Sequence, residues 1–208
     1  MSDLTVLAER FDLTAEERDG LRKFDELFLQ TQAHTNLIAR STIDDRWDRH
    51  VADSLQLWPL LPRGAATLLD IGSGGGFPAL PLAILAASRR SDLRLTLCES
   101  IAKKAAFLRE AAATIGLANV EVRPVRVETL TQRFDVVTAR AVAPLTRLLP
   151  LVVPRLSQGG VLIAPKGRNA ESELEAARRD WRLDAKRVTS ATDPEATILI
   201  LSNLESRS

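Results

Sequence analysis

Over residues 1–60 the hydrophobic positions recur at helical spacing. Thr14, with Glu17 three positions on, has the pattern of a capping box, after which Leu21, Phe24, Leu27 or Phe28, and Thr31 fall on one face. A second helix is predicted from about Thr42, with Trp47, Val51, Leu55 and Trp58 as its buried stripe and Pro59 and Pro62 as its stop. From Thr67 the period changes. Thr67–Ile71, Leu93–Cys98, Val120–Arg123, Phe134–Thr138 and Val161–Ala164 read as strands, separated by helical patterns around 80–88, 101–115, 144–156 and 169–181. Leu183–Ser190 and Thr197–Ser202 then read as two strands joined by a turn at Thr192–Pro194.

Alternation of strands and helices requires crossover connections, so the expected fold class is α/β. The sheet is mostly parallel with helices on both faces, an antiparallel C-terminal hairpin closes one edge, and the N-terminal helices form a cap. No low-complexity linker separates residues 1–62 from 63–208, so the first segment is expected to be part of the same domain. The 208 residues, 45% hydrophobic and 26% charged, exclude a disordered tail or a fibre. The single Cys98 leaves no internal disulfide and no cysteine zinc site, and no metal is expected. Ile71–Ser88 carries no charge, but Gly72, Gly74, Gly75, Gly76, Pro78 and Pro81 exclude it as a membrane span. Asp3, Glu9 and Arg10 interrupt any apolar stretch near the start, so no secretion signal is read and the cytoplasm is the expected compartment.

Net charge is only +1, but residues 101–170 hold 11 basic and 4 acidic groups. A cationic segment in a near-neutral chain suits a face built for a polyanion, and it equally suits solvated arginines scattered over several elements. The most informative stretch is Leu68-Leu69-Asp70-Ile71-Gly72-Ser73-Gly74-Gly75-Gly76-Phe77-Pro78, a strand running into glycines and then a helix. Gly72, Gly74 and Gly76 give G-x-G-x-G, and Phe77 stands where a dinucleotide fingerprint has its last glycine. Asp70 adds a carboxylate that repels a pyrophosphate and welcomes a cationic ligand. The combination resembles the first motif of class I S-adenosylmethionine methyltransferases more than an NAD site. Glu99, at the tip of the second strand, is suited to accept hydrogen bonds from both ribose hydroxyls of an adenosine cofactor. Cys98 points the other way and reads as packing.

Six segments extend the likeness along the chain. His34-Thr35-Asn36-Leu37-Ile38, Arg49-His50-Val51-Ala52-Asp53-Ser54-Leu55, Asp70 to Pro78, Arg126-Val127-Glu128, Thr138-Ala139-Arg140-Ala141 and Pro165-Lys166-Gly167 together resemble the RsmG family, also called glucose-inhibited division protein B. The resemblance implies that residues 63–208 form a Rossmann-like class I S-adenosylmethionine-dependent methyltransferase domain. It further implies a bacterial cytoplasmic enzyme that methylates N7 of a guanine in 16S rRNA, either naked or in the small ribosomal subunit. Carried over by position, the family's cofactor contacts fall on Gly72, Phe77, Val127, Glu128 and Arg140; the residues' own reading adds Asp70, Gly74 and Glu99. Ile38 stands where the family is associated with Thr, and Ala79 where Gly is frequent.

The residues for the chemistry itself are fewer. Cys98 is badly placed to attack a pyrimidine ring, and Thr138-Ala139-Arg140-Ala141 stands where many adenine-N6 enzymes carry Asn/Asp-Pro-Pro-aromatic. Guanine N7 has an exposed lone pair and no proton, so its methylation needs alignment and electrostatics but no general base. Arg140, after the fourth strand, is expected to orient a carboxylate or the RNA, and Lys166, after the fifth, to meet a phosphate or guanine O6. Both are expected catalytic residues, and Lys166, His50 and Arg123 are expected to contact substrate. His50 also suits a purely structural place on the cap, and Lys166 a solvated loop. The protein is expected to be a monomer without metal or membrane partner. A small-molecule methyltransferase and a non-catalytic nucleotide sensor are the alternatives.

Overall fold

Asp3 opens the first helix by accepting hydrogen bonds from the backbone N–H groups of Thr5 and Val6, and α1 (Leu4–Arg10) buries Leu7. The computed structural model describes residues 3–207, so the outermost residues of the two expected segments lie outside it. In α2 (Ala15–Gln32) both arms of the Thr14–Glu17 capping box are formed, and Leu21, Phe24 and Phe28 make the buried face. Glu17 also reaches across the fold. Its buried carboxylate pairs with Arg89 Nε at 2.6 Å and accepts from Ser88 Oγ at 2.5 Å, tying the cap to the sheet's first crossover helix.

The second predicted helix is not continuous. A 3₁₀ turn (Arg40–Thr42), a π-helical segment (Trp47–Ala52), the short α3 (Asp53–Leu55) and another 3₁₀ turn (Trp58–Leu60) replace it. The wider π turn sets the Arg49 carbonyl where Arg140 Nη1 donates to it at 3.2 Å, so a tertiary contact overrides the local period.

The strands and helices that follow are β1 (Thr67–Ile71), α4 (Ala79–Arg89), β2 (Arg94–Cys98), α5 (Ala102–Ile115), β3 (Val120–Arg123), β4 (Phe134–Ala139), α6 (Leu145–Val152), β5 (Leu156–Lys166), α7 (Ala170–Ala177), β6 (Trp181–Thr189) and β7 (Thr197–Ser206). They form one seven-stranded sheet in the order β3-β2-β1-β4-β5-β7-β6. The first five strands are parallel, and β7 runs antiparallel between β5 and β6, the hairpin that the sequence predicts. β5 begins at Leu156 rather than Val161, because a register shift against β4 and a left-handed Gly159 (φ +75°) break the alternation that marks a strand. β6 begins at Trp181 rather than Leu183, and β7 continues past Ser202 to Ser206.

Alternate strand residues feed two cores. Leu68, Leu95, Leu97, Val136 and Ile163 pack beneath α1, α2, α4 and α5, while Leu69, Val137, Leu162, Leu199 and Leu201 pack beneath α6 and α7. Phe24, Phe28, Phe77 and Phe107 join cap and sheet in one aromatic cluster, with centroids 5.1 to 6.4 Å apart. Among the described residues no helix is long and apolar enough to cross a membrane.

Candidate functional site

β1 lies between β2 and β4, so the chain leaves β1 toward one side of the sheet and β4 toward the other. That divergence opens a crevice beyond the carboxyl ends of the strands, where open α/β sheets take ligands. Two cavities, about 820 Å³ and about 200 Å³, occupy it and share Gly72 and Val142 on their walls.

The glycine loop is held from both ends. Gly72 donates to Cys98 O at 2.9 Å, and Gly74 N–H donates to Glu99 Oε2 at 2.9 Å. Ile101 N–H donates to Glu99 Oε1 at 2.7 Å, which leaves each carboxylate oxygen a second lone pair for a ligand. At Gly72 the backbone is left-handed (φ +68°), and a Cβ there would stand 3.1 Å from Val142 Cγ2, at the boundary between the two cavities. Val127 and Glu128 form the opposite wall on a 3₁₀ turn (Val127–Thr129), whose carbonyls accept from Arg155 Nε at 3.2 Å and Nη2 at 2.7 Å. Gly72, Glu99, Val127 and Glu128 thus line the smaller cavity, and Gly72, Gly74, Phe77, His50, Arg140 and Lys166 the larger. An open backbone cradle beside a fixed carboxylate suits a ligand that carries ribose hydroxyls.

Asp70 is placed differently from its expected role. Register pairs it with Thr138 of β4, whose Oγ1 donates to Asp70 Oδ1 at 2.7 Å, so its carboxyl lies inside the sheet and lines neither cavity. Burial pushes it up to about 7, although Ser73, Thr138 and Arg140 oppose the shift, and Oδ2 has no hydrogen-bond partner among the described residues. Cys98 packs in the core as expected; its thiol donates to Val125 O at 3.2 Å, and burial and the nearby carboxylates push it up to about 11.

Arg140 gathers the cap around the larger cavity. Its Nη1 donates to Arg49 O at 3.2 Å and to Asp53 Oδ2 at 3.3 Å, its Nη2 reaches His50 Nδ1 at 2.9 Å, and its guanidinium lies 5.5 Å from the centroid of Phe77. Since arginine only donates, His50 Nδ1 accepts, the ring carries its proton on Nε2, and that proton points at Thr42 Oγ1 2.9 Å away. Burial, with Arg140 and Arg49 behind it, lowers His50 to about 3, so the ring is neutral. Lys166 is likewise engaged: Nζ donates to Ala143 O at 2.7 Å and pairs with Glu173 Oε2 at 2.9 Å, and the same Glu173 oxygen accepts from Leu145 N–H at 2.9 Å. Arg140 and Lys166, expected to meet a carboxylate, a phosphate or the RNA, are thus also held by the protein's own Asp53 and Glu173, as two brackets that fix the loop 140–145. Arg123 lines neither cavity; its side chain, 43% exposed, pairs with Glu121 at 3.1 Å on its own strand.

Several residues around the site were not singled out from the sequence. Gln32 of α2 braces the lip of the larger cavity, accepting from Leu37 and Ile38 N–H at 2.8 and 3.0 Å. Gln56 donates to Asp53 Oδ1 at 2.8 Å, Ser190 Oγ at 3.1 Å and Thr192 Oγ1 at 3.2 Å, and accepts from Ala191 N–H at 2.7 Å, which fastens the β6–β7 turn to the cap. No local pattern marks these residues, because the partners of Gln56 beyond the cap are more than 130 positions away. Lys104 also lines the larger cavity.

Comparison with known proteins places this geometry in a family. The structure resembles an O-methyltransferase from Bacillus cereus in complex with SAH (TM-score 0.59, 18% identity, 86% of this chain and 90% of that one). It also resembles TYW2 of M. jannaschii in complex with AdoMet (TM-score 0.54, 15% identity, 81% and 78%). These likenesses give the fold, a Rossmann-like class I methyltransferase. In sequence, residues 17–198 match the family model described as rRNA small subunit methyltransferase G. Proteins named ribosomal RNA small subunit methyltransferase G are 44% identical in Cereibacter sphaeroides (94% of each chain) and 46% identical in Methylobacterium sp. (96% of this chain, 94% of that one). A third, from Rhodospirillum centenum, is 43% identical over 95% of this chain and 89% of its own. The chain that builds the glycine cradle, the strand-tip carboxylate and the Arg140 bracket belongs to the rRNA small subunit methyltransferase G family.

Proposed function

We propose that this protein transfers a methyl group from S-adenosylmethionine to N7 of a guanine in 16S rRNA. The observation that carries the reading is the crevice in which Gly72, Gly74, Glu99, Val127 and Glu128 converge, in a chain of this family. The backbone at Gly72–Gly74 and the spare lone pairs of Glu99 would hold the amino-acid and ribose parts of the cofactor, and Val127 and Glu128 its base. When bound, the cofactor supplies an electrophilic methyl group. The chain's own task is then to present N7 in line and keep water out.

No residue has to remove a proton from N7, which agrees with a site whose only histidine is neutral and committed to Arg140 and Thr42. Arg140 and Lys166 serve as positioning residues that fix loop 140–145 beside the glycine cradle. Displacement at a sulfonium methyl needs no Lewis acid, so the reaction runs without metal. The large apolar side chains exposed among the described residues, Val6, Leu29, Ile101 and Val142, lie on separate elements, which supports a monomer. Residues 1–62 act as a cap on the same domain as 63–208, a reading supported by the aromatic cluster they share. With ribosomal RNA as its substrate the enzyme works in the cytoplasm.

The test is chemical mapping of the product. Unmodified small subunits are incubated with the protein and S-adenosylmethionine, and the 16S rRNA is reduced with borohydride and cleaved with aniline, which cuts at N7-methylguanine. A cut at one guanine is expected; methylated RNA that resists cleavage would move the product to another atom.

A further inference from the structure

Four cations line the larger cavity, and they fall into two kinds. Arg140 and Lys166 are neutralised within the protein, by Asp53 at 3.3 Å and Glu173 at 2.9 Å. Arg49 and Lys104 have no carboxylate within 4.0 Å among the described residues, and no side-chain hydrogen bond fixes either. The remaining wall carboxylate, Asp193, accepts from Glu195 N–H at 2.9 Å in its own turn.

Lys104 is also placed against local preference. It follows Lys103 in the first turn of the 14-residue α5, a turn with no acidic residue, where the helix dipole disfavours cations. Lys104 on the cavity wall, with Lys103 beside it in the same turn, and Arg49 from the cap add positive charge that no ion pair among the described residues offsets; Glu99, which accepts from Ile101 N–H just before this helix, is also bound to Gly74 N–H and lines the smaller cavity instead. We infer that Arg49 and Lys104 form a two-point clamp for the phosphates of the substrate RNA on either side of the target guanine. Arg49 is exposed and Lys104 partly so, and neither lines the smaller cavity of Glu99, Val127 and Glu128, which leaves both available to an incoming strand. The cofactor moreover brings a single carboxylate, next to its own ammonium and sulfonium, and does not need two free cations. This inference rests on the RNA reading proposed above.

The test compares wild type with Arg49→Gln, Lys104→Gln and the double variant, using small subunits and naked 16S rRNA. KM for RNA, kcat, the salt dependence of RNA binding and the affinity for S-adenosylmethionine are measured together. Each single variant is expected to raise KM for RNA about five- to tenfold with kcat and cofactor affinity little changed. Each is also expected to flatten the slope of log K against log salt by about 0.7 to 0.9, and the double variant by about twice that. Arg49→Lys keeps the charge and is expected to restore most of the affinity, which separates charge from misfolding. Arg63→Gln, on the loop before β1 and so at the far end of that strand, is expected to change nothing. Unchanged RNA affinity and salt slope in the double variant would overturn the clamp, as would a loss confined to cofactor affinity. Wild-type protein that binds RNA with a clamp-dependent slope but methylates none would instead overturn the function and leave the clamp standing.

Discussion

Gly72 and Gly76 both adopt left-handed backbone, at φ +68° and +88°, but for different reasons. A Cβ on Gly76 would stand 2.6 Å from Cδ1 of fully buried Leu80, so this glycine serves packing. A Cβ on Gly72 would meet only Val142, a side chain 37% exposed and free to give way, so this one serves the ligand. Gly76→Ala is therefore expected to lower stability by about 2–3 kcal/mol in urea unfolding. Gly72→Ala is expected to lose only about 1 kcal/mol and to weaken S-adenosylmethionine binding in a calorimetric titration. The reverse order of stabilities would contradict this division. In the sequence the glycines form one motif, and nothing in G-x-G-x-G separates the two roles, because the neighbours that do so come from α4 and from the loop after β4.

At the scale of elements, no backbone–backbone hydrogen bond among the described residues joins the cap to the β6–β7 turn, so side chains of the cap fasten it. Gln56 bonds to Ser190, Thr192 and Ala191 of that turn and to Asp53 within the cap, and Asp53 links them to Arg140 through Thr192 Oγ1 at 3.0 Å. Gln56→Ala leaves the Ala191 N–H and the Asp53 carboxylate short of a partner, at a cost of about 2 kcal/mol. Hydrogen exchange is expected to rise over residues 190–197 and not in β1 or β4; uniform exchange changes would refute a local fastening. The α/β alternation, the hairpin and the capping box were legible because each rests on local period or spacing. The helix predicted from Thr42 was not, since the π turn answers to Arg140 across the crevice. Asp70 and Lys166 were legible as motif residues but not in their roles: register with Thr138 buries the one, and Glu173 captures the other.

For the whole molecule, two buried groups give opposite pH dependences. Asp70, raised to about 7 from 3.8, binds an extra proton in the folded state, so its contribution lowers stability as pH rises from about 4 to 7. His50, lowered to about 3 from 6.5, binds fewer protons when folded, so its contribution raises stability with pH over about 3 to 6.5. Where the windows overlap the two largely cancel. Asp70→Asn is expected to leave a stability that climbs toward pH 6.5, and His50→Gln one that falls between pH 4 and 7; denaturant midpoints measured across pH check both, and parallel profiles for the two variants would contradict the assignment. The same two groups flank the glycine cradle and the cap, the two halves that the crevice joins into one methyltransferase site. The most direct test of that site is transfer of a labelled methyl group from S-adenosylmethionine to unmodified small subunits by wild type and by Gly72→Asp, with the thermal melt of each recorded. Label on the 16S rRNA from wild type, and none from a folded Gly72→Asp protein, is the predicted result; no label from wild type, or equal label from both, would contradict it.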